Sequence, residues 1–374
     1  MKKHAIGLDI RMLQNTGIGT YLRGLLKGLR ETGAAHRLDL SLFGRPEHAA
    51  EMARMLPEQV FHPFPSRIYS IREQWDYLSR LKKCRIWHAP HYNIPLLKGR
   101  TRLVVTVHDL IHWIFRHDMP SHKAFYAEYM FKRVIRSADQ IIAVSNSTKD
   151  DLIMHFKADP KRISVIYEGV DERFRELEPA GLAGPVLRKF GIVGNYFLYV
   201  GMLKPHKQVE RLLRLYRGLK AEHRIESALV IVGKKDKRYP PGYEDLAGLQ
   251  SGGGIFHIPS VSGDELLALY NGAMALVHLS RYEGFGLTVL EAMACGTPVI
   301  AADAASIPEV AGDGAYLVSP DDDDDIMDAM VRMEEDGGLR EELRKQGKNQ
   351  AARFRWDDMA VRTAEIYERV LERL

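Results

Sequence analysis

Short apolar runs, each closed by a glycine or a polar pair, alternate along this chain with segments of helical spacing. Residues 4–10 read as a buried strand, and Gly17-Ile18-Gly19 precedes an apolar-periodic helix over about residues 20–30. Further strands are expected at residues 37–43, 86–90 and 103–107, the last β-branched and ending in His108-Asp109. Residues 111–136 carry aromatic and basic side chains in turn and read as helix, and strands at 140–144 and 163–166 close this series. The alternation restarts with a strand at 196–200, a helix at 209–220, strands at 228–232 and 255–258, and a helix at 261–270. A strand within 273–280, a helix at 287–295, a strand at 299–302 and a terminal helix at 356–374 follow. Strands alternating with helices predict parallel α/β sheets, whose ligand crevice lies beyond the carboxyl ends of the strands.

A length of 374 residues, 45% of them hydrophobic, suits two domains of ordinary size, and disorder is not indicated. The formal charge of +4 is too small to argue for nucleic acid, although a local patch could serve an anionic ligand or a membrane surface. Cys84 and Cys295 show no metal or redox spacing, so a reduced, cytosolic compartment is the simplest reading. The N-terminal MKKHAIGLDIR is interrupted by Asp9 and Arg11 and lacks the apolar core of a signal peptide. No apolar run approaches the ~20 residues that span a bilayer. The expectation is a soluble cytoplasmic protein, or one held peripherally on the inner face of the membrane. Basic residues gather at 72–102 and again among the aromatics of 111–136. A helix that buries its aromatics and leaves its cations in water explains the second set. If the two sets share a surface, they could receive a lipid pyrophosphate or the anionic head groups of a membrane.

Candidate chemistry concentrates in residues 280–303, SRYEGFGLTVLEAMACGTPVIAAD. Glu283-Gly284-Phe285-Gly286 is a glycine-punctuated loop before a helix that Gly296 and Pro298 terminate. The first amides of a helix lack intrahelical partners, so those around Gly286, Leu287 and Thr288 form a seat for phosphate. Glu283 and Glu291 flank that seat, where two carboxylates would repel phosphate unless they face something else; sugar hydroxyls are suitable recipients. Singly, each Glu is explained by the helix dipole and a surface position. Lys207, in Lys204-Pro205-His206-Lys207 at a strand-to-helix turn, can reach a phosphate already held by amides. His108 stands where an open sheet binds its ligand. The acidic run 321–325 invites a metal, but consecutive acids opening a helix near Ile326 are accounted for by the dipole.

The stretch EGFGLTVLEAMACGTPVIA resembles the donor-site signature of family 4 retaining glycosyltransferases, which have the fold known as GT-B. The resemblance implies that Glu283 contacts the hydroxyls of a donor sugar and Glu291 the nucleotide ribose. It also implies that the amides of Phe285, Gly286, Leu287 and Thr288 hold the diphosphate. VGMLKPHKQVERLL is similar to the family's phosphate-binding segment, with Gly201 at its start and Lys207 at the family's lysine. Many members carry an arginine beside the glycine or the lysine; those places hold Met202 and His206, and Lys204 can supply the second cation. The glycine loop of Gly17 and Gly19 resembles one facing the ligand, and TVHDL resembles the segment with the acceptor-facing histidine, here His108. Ser306 and Glu309 are similar to a segment on the nucleotide side.

The fold class expected is α/β, with two doubly wound Rossmann-like domains facing a central cleft. The expected divisions are an acceptor-side domain at 1–172, a linker at 173–192, a nucleotide-sugar domain at 193–355 and a helix at 356–374 crossing back to the first domain. The function implied is metal-independent, retaining hexosyl transfer from a nucleotide-diphosphate sugar to a glycan or lipid-linked acceptor. No cofactor is required, and His108 and Glu283 would be the catalytic pair. GDP-mannose is the expected donor, from the look of the GMLKPHK and HDLI segments, with UDP sugars as the alternative. Two rival functions are a nucleotide-sugar epimerase on a similar fold, which needs no acceptor, and a non-catalytic nucleotide-sugar sensor, which binds without turnover.

Overall fold

The computed structural model of the chain describes residues 4–177, 183–235 and 254–374. By compactness the chain divides into two units, residues 1–169 with 354–374, and residues 170–353. The first contains seven strands: β1 His4–Asp9, β2 Leu40–Gly44, β3 Val60–Pro63, β4 Cys84–Ala89, β5 Arg102–Val107, β6 Gln140–Ala143 and β7 Ile163–Val165. They pair in parallel in the order β3-β2-β1-β4-β5-β6-β7, so the strand order reverses between β1 and β4. Helices Ile71–Leu81, Ser121–Ser137 and Asn146–Phe156 cover one face, where Tyr77, Leu81, Met130, Phe131 and Leu152 pack with Trp87, Leu103, Val105 and Ile141. Coverage on both faces is why the central strands read as unbroken apolar runs.

The crossover from β1 to β2 runs the other way along the sheet, and right-handedness puts its helix, Gly17–Glu31, on the opposite face. There it packs against the C-terminal helix Trp356–Glu372. The approach is closer than side chains would permit: a Cβ on Gly24 would lie 2.2 Å from the Trp356 ring, and one on Gly28 2.6 Å from the Trp356 carbonyl oxygen.

The second unit repeats the plan with β8 Tyr196–Val200, β9 Ala228–Val232, β10 Ile255–Ile258, β11 Ala275–His278, β12 Val299–Ala302 and β13 Tyr316–Val318. These six are parallel in the order β10-β9-β8-β11-β12-β13, reversing between β8 and β11. The helix Gly263–Gly272 opens with a reciprocal cap in which Ser262 and Glu265 bond each other's backbone amide.

The expected helix over 111–136 is two helices, Ile111–Ile114 and Ser121–Ser137, because Pro120 breaks the run. Elements that the apolar pattern does not announce are the half-exposed edge strand β3, the helix Ile71–Leu81, the largely polar helix Gly337–Ala351 and the short β13. Within the stretch expected as a linker, Glu176 pairs with Arg344 and Lys348, and the helix Gly184–Lys189 packs against Gly263–Gly272. Its residues 178–182 lie outside the described residues. The acidic run opens the helix Asp323–Glu335, with Asp322 accepting from the amides of Asp324 and Asp325.

The glycine contact between the Gly17–Glu31 and Trp356–Glu372 helices sets a test. Gly24→Val should cost about 1–3 kcal/mol through overpacking. Gly218→Ala, in the helix Val209–Ala221 with open space where a Cβ would sit, should gain about 0.5–1 kcal/mol. Urea unfolding midpoints of the two variants give both signs.

Candidate active site

In the second unit the loops after β8 and β11, on either side of the strand-order reversal, are stitched together. The Arg281 amide donates to the His206 carbonyl at 2.9 Å, and the Ser280 hydroxyl reaches the same carbonyl at 3.5 Å. This stitching presents Lys207 to Glu283, and the ammonium donates to Oε1 in a short ion pair. His278, the last residue of β11, is buried, and its Nε2 lies 3.2 Å from the same oxygen, though not aligned for a hydrogen bond. Burial pushes the Glu283 carboxyl up, but Lys207 and His278 together outweigh it and hold the group well below the usual carboxylate range. Glu283 is therefore ionised at any working pH. The side chains of Lys207 and Glu283 are only 19% and 16% exposed, so solvent screens their attraction weakly.

The loop continues into the helix Leu287–Ala294 through Gly286, whose φ of 110° suits glycine and closes the turn against Ile307. The Ser306 hydroxyl bonds the carbonyls of both Glu283 and Phe285, at 2.9 and 2.8 Å, fixing the loop from beneath. Phe285 is buried, so it anchors the turn with its ring and can offer a ligand only its backbone; Leu287 and Thr288, in the first helical turn, are partly exposed. Their amides precede the intrahelical pattern and carry the positive end of the helix dipole. One turn on, Glu291 accepts from the Tyr270 hydroxyl at 3.0 Å. Burial pushes its carboxyl up to about 7, against the lowering effects of Tyr270 and Arg173.

Gly201 ends β8 and spends its amide on the Val232 carbonyl at 2.9 Å, which seats it beside the loop after β9. Lys204 starts the turn that carries Lys207, its carbonyl accepting from the Lys207 amide at 3.0 Å. His206, between Lys204 and Lys207 in that turn, is buried.

In the first unit His108 follows β5 with both ring nitrogens engaged. Nδ1 is 2.9 Å from Glu168 Oε1, and Nε2 is 3.0 Å from the Pro90 carbonyl oxygen at the end of β4. A carbonyl only accepts, so Nε2 donates there. Tyr21 meets the ring edge-on at 4.7 Å between centroids. Beneath it runs a buried polar chain in which the Tyr21 hydroxyl meets Thr106 at 2.9 Å, Thr106 meets His88 at 2.8 Å, and His88 meets Tyr367 of the C-terminal helix at 2.6 Å. Burial, helped by nearby His108, pushes His88 down to about 3, so it is neutral and serves structure. Gly17 and Gly19 lie in the first turn of the Gly17–Glu31 helix. Gly17 is exposed, whereas Gly19 packs on the chain itself, since its Cβ would meet the Leu13 carbonyl oxygen at 2.3 Å.

The structure thus gathers Gly201, Lys204, Lys207, Glu283, Phe285, Gly286, Leu287, Thr288 and Glu291 at one end of the second sheet, and Gly17, Gly19 and His108 at the carboxyl edge of the first. Sequence reasoning does not single out His278, Tyr270, Arg173 or Glu168. His278 closes an apolar strand and Glu168 comes shortly after one, a signal like the one that marks His108. Asp9 and Arg11, read only as interruptions of an apolar run, form a buried cluster after β1. There Arg11 pairs with Asp9 at 2.6 Å and Glu73 at 2.7 Å and lies 3.7 Å over the Phe64 ring.

Residues 15–174 match the family described as Glycosyltransferase Family 4, and residues 190–350 match Glycosyl transferases group 1. The O-antigen chain mannosyltransferase B of Escherichia coli is 29% identical over 317 residues, which are 83% of this chain and 78% of that protein. The O-antigen chain mannosyltransferase RfbU of Salmonella typhimurium is 29% identical over 274 residues, 72% of this chain and 69% of that protein. HepE of Anabaena, solved in complex with UDP-glucose, shares the fold with a TM-score of 0.75 at 15% identity, over 98% of this chain and 99% of that one. With both halves matched in order and the two-sheet GT-B fold shared along the chain, this protein belongs to the family 4 glycosyltransferases.

Proposed function

We propose that the protein transfers mannose from GDP-mannose, with retention of anomeric configuration, to a glycan or lipid-linked glycan in the synthesis of a surface polysaccharide on the cytoplasmic side of the membrane. The observation that carries this reading is the Lys207–Glu283 pair beside the open end of the Leu287–Ala294 helix. An ammonium has three donors, and one is spent on Glu283. The others, with the amides of Leu287 and Thr288, can stabilise the negative charge that grows on a departing diphosphate as the glycosidic bond breaks. Glu283, ionised beside Lys207, is suited to accept from a sugar hydroxyl. With charge handled by lysine and amides, this chemistry needs neither a divalent metal nor a protein nucleophile. The acceptor hydroxyl then attacks on the face that the diphosphate leaves and passes its proton to the departing phosphate, and His108, held by Glu168 and the Pro90 carbonyl, orients substrate from the first unit. The mannosyl donor is favoured by the two O-antigen mannosyltransferase relatives.

Lys207→Ala and Glu283→Ala should each lower transfer of labelled mannose from GDP-mannose into a bacterial glycolipid extract by about 10²–10³-fold. Circular dichroism should show the fold retained. Wild-type rates in both variants would contradict the assignment, and sugar conversion without any acceptor would point to an epimerase.

Ribose hydroxyls are best received by an ionised Glu291, whose carboxyl is pushed up to about 7. Below that value binding must first remove a proton. GDP-mannose, whose own phosphates do not titrate in this range, should bind more tightly as pH rises from 6 to 8, by up to about tenfold per unit on the acid side. The dependence should level off above 7 and flatten in Glu291→Gln, as read by calorimetric titration.

A further inference from the structure

We propose that the outer face of the Ile71–Leu81 and Ser121–Ser137 helices is a docking surface for an anionic lipid bilayer. Ile71 and Trp75, one helical turn apart, are 83% and 72% exposed; Phe125, 72% exposed, and Tyr129 repeat this on the second helix. The inner faces of both helices are buried, through Tyr77 and Leu81 on one and Met130, Phe131 and Val134 on the other. Each helix is thus apolar on both sides, and among the described residues the inward side is the one that packs on the core.

Two sets of contacts hold these helices as one platform. Asn93 donates to Glu73 of the first helix at 2.9 and 3.1 Å and accepts from Tyr126 of the second. Further along, the Leu96 amide donates to Gln74 at 2.8 Å while the Leu96 carbonyl accepts from Arg133. The exposed Leu97 follows directly, so the apolar face continues across the loop between the helices.

Charge selects the occupant. Residues 67–136 contain fourteen Lys and Arg against five Asp and Glu, and the remainder of the chain is net acidic. Arg72, Lys82, Lys123, Lys132 and Arg136 are exposed on or beside the two helices. A second copy of the chain would bring like charges together across this face. An anionic bilayer attracts such a rim, and Trp, Tyr, Phe and Ile are suited to enter its interface. Insertion is shallow, since among the described residues no helix is long and apolar enough to cross a membrane. Both helices begin beyond the carboxyl ends of strands, β3 and β5, the edge that also carries His108. If the glycosyl-transfer reading holds, the docked first unit meets an acceptor anchored in the same bilayer; the docking itself does not depend on that reading.

The intact protein should sediment at low salt with phosphatidylcholine vesicles containing phosphatidylglycerol and not with phosphatidylcholine alone. Trp75 is the exposed indole, so emission should shift to the blue on binding, and Trp75→Phe should abolish the shift while sedimentation persists. The pair Trp75→Ser with Phe125→Ser should lower partitioning at least about tenfold per residue. Arg72→Gln with Arg136→Gln should lower it roughly fivefold per cation. Equal binding to neutral vesicles, no binding at all, or binding undiminished by the serine pair would overturn the proposal. So would equal affinity for a soluble anionic polysaccharide with no emission shift. Melting-temperature shifts by GDP-mannose should be unchanged in all these variants, which separates failure of docking from failure of the donor assignment.

Discussion

A carboxylate kept ionised inside the protein constrains the second unit more than any other group. Taking Glu283 out of water is unfavourable unless opposite charge and hydrogen bonds offset it. Lys207 and His278 supply that compensation from two different segments, and both must be held at contact distance. The bond from the Arg281 amide to the His206 carbonyl and the clamp of Ser306 on the Glu283 and Phe285 carbonyls do the holding. The strand-order reversal brings the loops after β8 and β11 side by side, so the sheet topology and the paired charges depend on one another. The same rigidity aims the open end of the Leu287–Ala294 helix, so the charged pair and the free helix-end amides are positioned by one piece of packing.

The first unit uses buried polarity differently. Arg11, enclosed by Asp9, Glu73 and the Phe64 ring, fixes the strand end of β1 to the Ile71–Leu81 helix. Glu73 passes the connection through Asn93 to Tyr126 on the Ser121–Ser137 helix. The platform bearing Trp75 and Phe125 is therefore continuous with the edge where Glu168 and the Pro90 carbonyl hold His108. The exposed aromatic face and the strand-end histidine share one scaffold.

Much of this is legible in the sequence because buried parallel strands are written as continuous apolar runs, and the glycines and acids of 280–303 stand together in one segment. The edge strand β3 escapes that reading because half-exposed positions interrupt its pattern. The Ile71–Leu81 helix is not marked by its apolar spacing, yet Ser70 accepting from the Glu73 amide spells its start. The partnership of Lys207 with Glu283 spans 76 positions, and no local rule joins them. Nor does sequence reveal that His108 already has partners at both nitrogens, since Pro90 and Glu168 come to it only through the order of β4, β5 and β7. Phe125 and Tyr129 look like core aromatics at helical spacing, and only the folded chain shows that Phe131 takes the buried place while they face outward.

The most direct trial of the donor seat is a thermal-shift panel of nucleotide sugars on the wild-type chain and on Lys207→Met. A ligand bound only by the native state at a hundredfold excess over its Kd adds about 2.7 kcal/mol of stability. GDP-mannose should raise the melting temperature of the wild type most, and the rise should largely vanish in Lys207→Met. A panel in which no nucleotide sugar raises the melting temperature, or in which the rise is as large without the Lys207 ammonium, would contradict the placement of the diphosphate between Lys207 and the Leu287–Ala294 helix.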